Sequence, residues 1–216
     1  VLRTYREVTA NAPDELTTYS AIATMPDGMS VAVVMVCYSG DIEDGEKAIA
    51  PFRALGPVAD MVSPMPYSGM TALTDPMAPL GFAQEDQWAN VHELTDDTID
   101  GMLALFDHSL GHAIIIKQLN GAASRVAPTA MAFPHRQLPY SILALASWVP
   151  GTDGSAHVAW VQRIIDAVGG FYVNSAMENP AKLAFAVNYD RLIELKNRYD
   201  PTNMFHGNIN IEPTIG

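Results

Sequence analysis

Two runs, Leu16 to Thr24 and Val31 to Tyr38, constrain this chain more than anything else in it. Both are rich in β-branched and aromatic residues, and Pro26-Asp27-Gly28 between them supplies turn chemistry. They predict an antiparallel hairpin. Glu43 to Leu55 then shows a helical stripe of Ile49, Phe52 and Leu55, with Gly56 at its end and Pro51 expected to break or kink it. Pro57 to Pro79 is rich in Pro, Met and Ser with poor periodicity, which predicts a long irregular loop with room for one short strand or helix at Tyr67 to Leu73.

Thr95 is placed to cap a helix ending near Ser109, since Ile99, Met102, Leu103, Phe106 and Leu110 recur at buried-stripe spacing. His112 to Leu119 reads as a strand and Asn120-Gly121 as a hairpin turn. A second strand is expected through Ala130 to Phe133, and another from Tyr140 to Val149. Ser155 or Asp153 is expected to cap a helix from His157 to Val168, ended by Gly169-Gly170. Phe171 to Ser175 reads as a short strand, and Lys182 to Tyr199 as the last helix before Asp200-Pro201. Hairpins outnumber alternating strand–helix units, so the expected fold is α+β, an antiparallel sheet with helices packed on one face. No repeat or low-complexity tract divides the chain.

Composition narrows the function classes. Acidic residues outnumber basic ones, 24 against 12, and a net charge of −12 repels nucleic acid and anionic lipid. The longest apolar run, Val31 to Tyr38, is too short to cross a bilayer. No basic segment followed by an apolar one opens the chain, so no signal peptide is expected, and a start at Val1 suggests a piece of something longer. Cys37 stands alone in an apolar run and reads as a buried structural thiol; one cysteine fixes no compartment. No Gly-rich phosphate loop, Gly-x-Ser-x-Gly elbow or Cys-x-x-Cys pair is present. His108 and His112 have metal spacing, but Gly111 lies between them and no third ligand is evident, so no metal site is expected.

The C-terminal region carries the most specific pattern. Phe185-Ala186-Val187-Asn188-Tyr189-Asp190-Arg191-Leu192 leads into Leu195-Lys196-Asn197-Arg198-Tyr199-Asp200-Pro201-Thr202-Asn203-Met204-Phe205 and then Asn208-Ile209-Asn210-Ile211. Each residue alone can be explained by a helix stop and a turn, but not the ordered string. It resembles the C-terminal signature of the berberine bridge enzyme-like FAD-linked oxidases. Phe133-Pro134-His135-Arg136 with Trp148 twelve residues later, Tyr172-Val173-Asn174, Cys37-Tyr38-Ser39-Gly40-Asp41 and Pro64-Met65-Pro66-Tyr67 follow the same family in the same order, the last two like its bacterial branch.

The resemblance implies a substrate-binding domain over residues 1–180 whose sheet roofs a flavin ring, packed as one unit with a C-terminal segment over 181–216. The implied cofactor is FAD, held mainly by an upstream FAD-binding domain that this chain lacks. The implied chemistry is oxidation of an alcohol or C–N centre by hydride transfer to flavin, with oxygen as acceptor, leaving the isolated chain inactive. By position, Tyr172 lies near the ring as a candidate base, or is an ordinary strand residue half-packed on the core. Asn174 would bond the flavin edge, and Asn208 or Asn210 would buttress the domain junction. Trp88, His135 and Arg136 are candidate substrate-pocket residues, with a structural role at the strand entry open for the latter two. Three positions depart from the family: Ser175 replaces an aromatic, Leu143 stands where a Gln or Glu often covers the ring, and Phe185-Ala186 replaces Tyr-Gly. Leu143 cannot move a proton, so a non-catalytic ligand-binding or interaction module derived from the same fold is the alternative. The expected partners are a small-molecule substrate and the upstream domain, with neither nucleic acid nor membrane; an exposed apolar face is expected to promote self-association.

Overall fold

The computed structural model describes residues 1–25, 27–73, 75, 81–109, 111–170, 181–207 and 209–214. The predicted strand at Phe171 to Ser175 lies outside them. Five strands form one antiparallel sheet: β1 (Leu16–Thr24), β2 (Ser30–Tyr38), β3 (Ala83–Val91), β4 (His112–Gln118) and β5 (Tyr140–Trp148). Their order across the sheet is β2-β1-β4-β5-β3. The helices are α1 (Leu2–Ala10), α2 (Ile42–Arg53), α3 (Tyr67–Ala72), α4 (Asp96–Leu105), α5 (Ser155–Val168), α6 (Ala181–Phe185) and α7 (Tyr189–Tyr199). None is long and apolar enough to cross a membrane.

Alternation along the strands divides the sheet into two faces. Leu16, Ile22, Ile114, Ile116, Ile142, Ala144 and Ala146 point to the helix side, where Leu2 and Tyr5 of α1, Ile49 and Phe52 of α2, Ile99 and Met102 of α4 and Trp160, Val161 and Ile164 of α5 complete one core. A buried polar chain fastens α1 beneath the sheet. The Tyr5 hydroxyl donates to Thr18 O at 3.0 Å, Thr18 Oγ1 donates to Gln118 Oε1 at 3.0 Å, and Gln118 Nε2 donates to Thr9 O at 2.9 Å. Each bond satisfies a group that burial would otherwise leave unpaired.

The hairpin and the layered α+β class are as the sequence predicts; other elements differ for physical reasons. Two were not foreseen: α1, whose inward residues Leu2, Tyr5 and Thr9 make a thin stripe, and β3, whose Gln84-Glu85-Asp86-Gln87 start masks its alternation. The strand expected through Ala130 to Phe133 is absent. Gly121–Arg125 instead forms a 3-10 turn. β4 is already paired on both sides, with β1 and β5, so a hairpin partner has no edge to occupy. Pro51 does not break α2; it sits in the last turn, where the helix ends at Arg53. The helix capped by Thr95, whose Oγ1 accepts from Thr98 N at 3.0 Å, stops at Leu105 rather than Ser109, because Phe106 turns extended and drops into the core. At α5, Asp153 accepts from Ser155 N at 2.9 Å. The last helix is not continuous: α6 and α7 are separated by a 3-10 turn at Ala186–Asn188, with Ala186 at φ +39°.

Candidate functional site

The face of the sheet away from the helices holds the candidate site. Register places two rows of side chains across it. One runs Met35, Tyr19, Lys117, Ser141, Asn90 from β2 to β3, and the next runs Val33, Ala21, Ile115, Leu143, Trp88. A polar row therefore borders an apolar one, on strands whose backbone groups are paired with one another. Such a surface is rigid.

Lys117 lies at the centre of that face, half-buried, with Nζ 4.1 Å from the Trp88 ring centroid and 5.1 Å from that of Tyr19. Both rings offer the ammonium their negative π faces. Burial pushes the Lys117 pKa below the ordinary lysine value, and no carboxylate restores it. The nearest acidic strand position on this face, Asp86, accepts from Trp88 Nε1 at 3.2 Å. Asn90 ends the polar row at 2 % exposure, and neither atom of its amide has a hydrogen-bond partner. Gly170, at φ +89°, lies so close to Asn90 O that a Cβ would meet it at 2.4 Å.

Trp88 is thus on the outward face, half-buried, and so is Leu143, which is buried at 7 % exposure in the apolar row beside Ile115. Tyr172, Asn174 and Asn208 lie outside the described residues. His135 and Arg136 are not on strand positions of this face. His135 Nε2 pairs with Ala184 O of α6 at 3.1 Å, and Arg136 donates to Met131 Sδ at 3.3 Å beside the Phe133 ring. Asn210 lines a separate concavity of about 470 Å³ with Leu192, Lys196, Phe205 and Ile211.

The C-terminal string turns out to organise backbone. The Asn188 amide, 4 % exposed, lies within reach of three carbonyls, donating to Pro128 O at 2.8 Å, Met131 O at 2.9 Å and Ala132 O at 3.2 Å. Asp200 accepts from Met204 N at 2.8 Å and Phe205 N at 3.0 Å and pairs with Lys196, bonds that hold its carboxyl below the usual range. Asn203 adopts φ +55° in that turn, a backbone state that asparagine tolerates.

A second cluster lies on the helix side. His112, 2 % exposed, stacks on Trp160 at 4.2 Å, and its Nε2 is 2.8 Å from His157 Nδ1. Its Nδ1 is 2.9 Å from Asp107 Oδ1 but off the line of the ring N–H, so this is a charge contact rather than a well-formed hydrogen bond. Burial lowers the His112 pKa, the Asp107 charge opposing it. His108 points elsewhere, to Ser30 Oγ at 2.6 Å, so the pair spaced for a metal in sequence is separated in space. Among the described residues no three metal-ligating side chains converge.

Sequence reading missed Lys117, Asn90 and Asn188 as organising residues. The signal for Lys117 was present: a single charge ending the run Ile114-Ile115-Ile116, in phase with the outward face.

Comparison with known proteins agrees with this architecture. Residues 172–212 match the family model for berberine and berberine-like proteins. An FAD-linked oxidoreductase of Dictyostelium discoideum is 28% identical over 94% of this chain and 46% of its own length. The (R)-6-hydroxynicotine oxidase of Paenarthrobacter nicotinovorans is 25% identical over 90% of the chain and 47% of its own. Among solved structures, berberine bridge enzyme from Eschscholzia californica superposes with a TM-score of 0.82 at 16% identity, covering 100% of this chain and 52% of that one. A chitooligosaccharide oxidase gives 0.79 at 16%, over 99% and 52%. The structural likenesses show the fold, and the chain spans about half the length of the curated relatives it matches. Residues 172–212 carry the berberine and berberine-like signature, and the chain along nearly its whole length is similar to about half of an FAD-linked oxidoreductase of the berberine bridge enzyme-like kind.

Proposed function

We propose that this chain is the substrate-facing half of a flavin-dependent oxidase, covering the flavin ring with its outward sheet face while other polypeptide holds the rest of FAD. The observation that carries the reading is the outward sheet face itself: apolar along one row, polar along the next, half-buried at Tyr19, Ala21, Ile115, Lys117 and Trp88, and backed by a single core. A planar ring fits such a surface. The diphosphate fits much less well. The starts of α2, α4, α5 and α7 each carry an aspartate in or beside the first turn, which opposes the anion binding that helix N-termini otherwise favour.

FAD, when bound, supplies a hydride acceptor for an alcohol or C–N substrate and delivers the electrons to oxygen. The chain's part is to place the substrate and move its proton. Trp88, Ile115 and Leu143 wall the site and exclude water, which strengthens every polar contact within it. Tyr172 takes the proton from the substrate O–H or N–H, Asn174 bonds the flavin edge, and Asn208 and Asn210 brace the junction with the flavin-holding part. His135 and Arg136 shape the pocket from the loop that packs on α6. Leu143 favours a second reading, a ligand-binding module without redox chemistry, because no proton can be held at that position.

The test is to express the natural reading frame that contains this chain. A yellow protein that consumes oxygen with alcohols or amines is the expected result. A colourless protein that stays colourless after incubation with FAD overturns the oxidase reading in favour of the module. The division of labour is tested on the chain alone: flavin fluorescence should show only weak FAD binding, and tight stoichiometric binding would refute it.

A further inference from the structure

Beyond Arg53, at the end of α2, the chain leaves the core and stays exposed from Ala54 through Gly69. Topology does not ask for so long a path. α2 packs on β2 and α1, while β3, the next strand, lies at the far edge of the sheet. Crossing the five strands takes about 19 Å at the usual strand spacing, and about six extended residues cover it. Nor is the segment slack. Asp60 accepts from Arg53 Nε at 2.6 Å on one oxygen and from Val62 N at 3.0 Å on the other, and Arg53 also pairs with Glu46. Pro57, Pro64 and Pro66 fix three further backbone angles.

Held this way, the arm presents Val58 fully exposed, Met61 at 81 % and Tyr67 at 74 %, along with Val62 and Met65. Asp60 is the only charged residue from Gly56 to Leu73, and Arg53 neutralises it. In a chain of net charge −12, such a stretch has the composition of an interface centre: depleted in charge, rich in Met, with an aromatic. Apolar groups fixed in water gain nothing from local collapse, so a second surface has to cover them.

We propose that this arm, Val58 to Tyr67, is the docking surface for the remaining half of the same polypeptide, with Val58, Met61 and Tyr67 as its anchors. Docking here rests on the reading above that other polypeptide holds most of FAD, and says where that part meets this one. Chain length argues for this occupant. These residues span about half the length of the curated relatives, so a comparable length of chain is left to supply the cover. A partner on the same polypeptide meets the arm at high effective concentration, whereas a second copy meets it only as its own concentration allows. An arm already fixed by Asp60 and three prolines also loses little entropy on being covered.

The test is methionine oxidation in the protein of the natural reading frame, with hydrogen peroxide as the probe and peptide mass spectrometry as the readout. Met102, buried in the core, and an added methionine peptide bound the slowest and fastest rates. Met61 is expected to react about fivefold or more slowly than the peptide, because oxidation follows exposure, and dilution should leave that protection unchanged. The double variant Val58→Asp, Tyr67→Asp should restore fast oxidation at Met61, with Met102 staying slow as proof of folding. Both substituted side chains face solvent in this half, so its own core is untouched. Met61 reacting like the free peptide overturns the proposal. So does protection lost on dilution, which assigns the arm to a second copy, or protection that survives the double variant. A yellow, oxygen-consuming protein with an unprotected Met61 sinks only the docking surface, and a protected Met61 in a protein that never takes up FAD sinks only the oxidase.

Discussion

Replacing Asn188 tests whether the C-terminal signature is structural glue. Its amide reaches three carbonyls of the 128–132 segment, and two hydrogens allow two well-formed bonds at a time. Asn188→Ala removes both, at about 0.5–1.5 kcal/mol each, and leaves part-buried carbonyls without their partner at a further ~1 kcal/mol. The total comes to about 2–4 kcal/mol. For a domain of this size that lowers Tm by roughly 4–16 °C. Asn188→Asp should cost more still, because a carboxylate cannot donate and its charge would face those carbonyl oxygens. Urea denaturation followed by circular dichroism gives the midpoint shift at unchanged slope, and limited proteolysis should show first cuts between Val126 and Pro139. If Asn188→Asp is as stable as the parent, or Asn188→Ala costs under about 0.5 kcal/mol, the amide does not hold this junction.

Other consequences follow from positions already described. His112 has a lowered pKa in the folded state, so the unfolded chain binds its proton first as pH falls; stability is full above pH about 6.5 and declines below it toward the lower folded pKa, with a slope of at most about 1.4 kcal/mol per pH unit. His112→Asn should flatten that part of a stability–pH profile, and an unchanged slope would assign it to other groups. Gly111 sits at φ +81° with a Cβ position 2.4 Å from Ser147 O, so Gly111→Ala should cost more than about 2 kcal/mol from strain and displaced backbone. Gly151, at φ +86° with nothing within 4 Å, is the control: Gly151→Ala should cost about 1 kcal/mol by thermal melting, and equal losses at the two sites would remove the steric half of the argument.

Elements with strong periodicity were legible. The hairpin of β1 and β2, the strands β4 and β5, the Thr95 cap and the stripe of α5 were readable because burial on one face writes itself into residue type. β3 was not readable, since Glu85 and Gln87 face the helix side and replace apolar residues there. The false strand before Phe133 came from reading Asn120-Gly121 locally, when the decisive fact was non-local: both edges of β4 were already taken. The break between α6 and α7 arises the same way, as Asn188 is drawn toward carbonyls some sixty residues away. Of the candidate site, Trp88 and Leu143 were flagged through family resemblance. Lys117 and Asn90 acquire meaning only when register sets four strands side by side.

The position of β2 at one end of the sheet has a practical side. Its inner side pairs with β1 along nine residues, while among the described residues no strand pairs with its outer side. Ser30 to Tyr38 contains neither a charge nor a proline, the two devices by which natural sheets blunt a free edge. Concentrated solutions are therefore prone to edge-to-edge stacking of one molecule's rim on the next, a route to oligomers that operates without any unfolding.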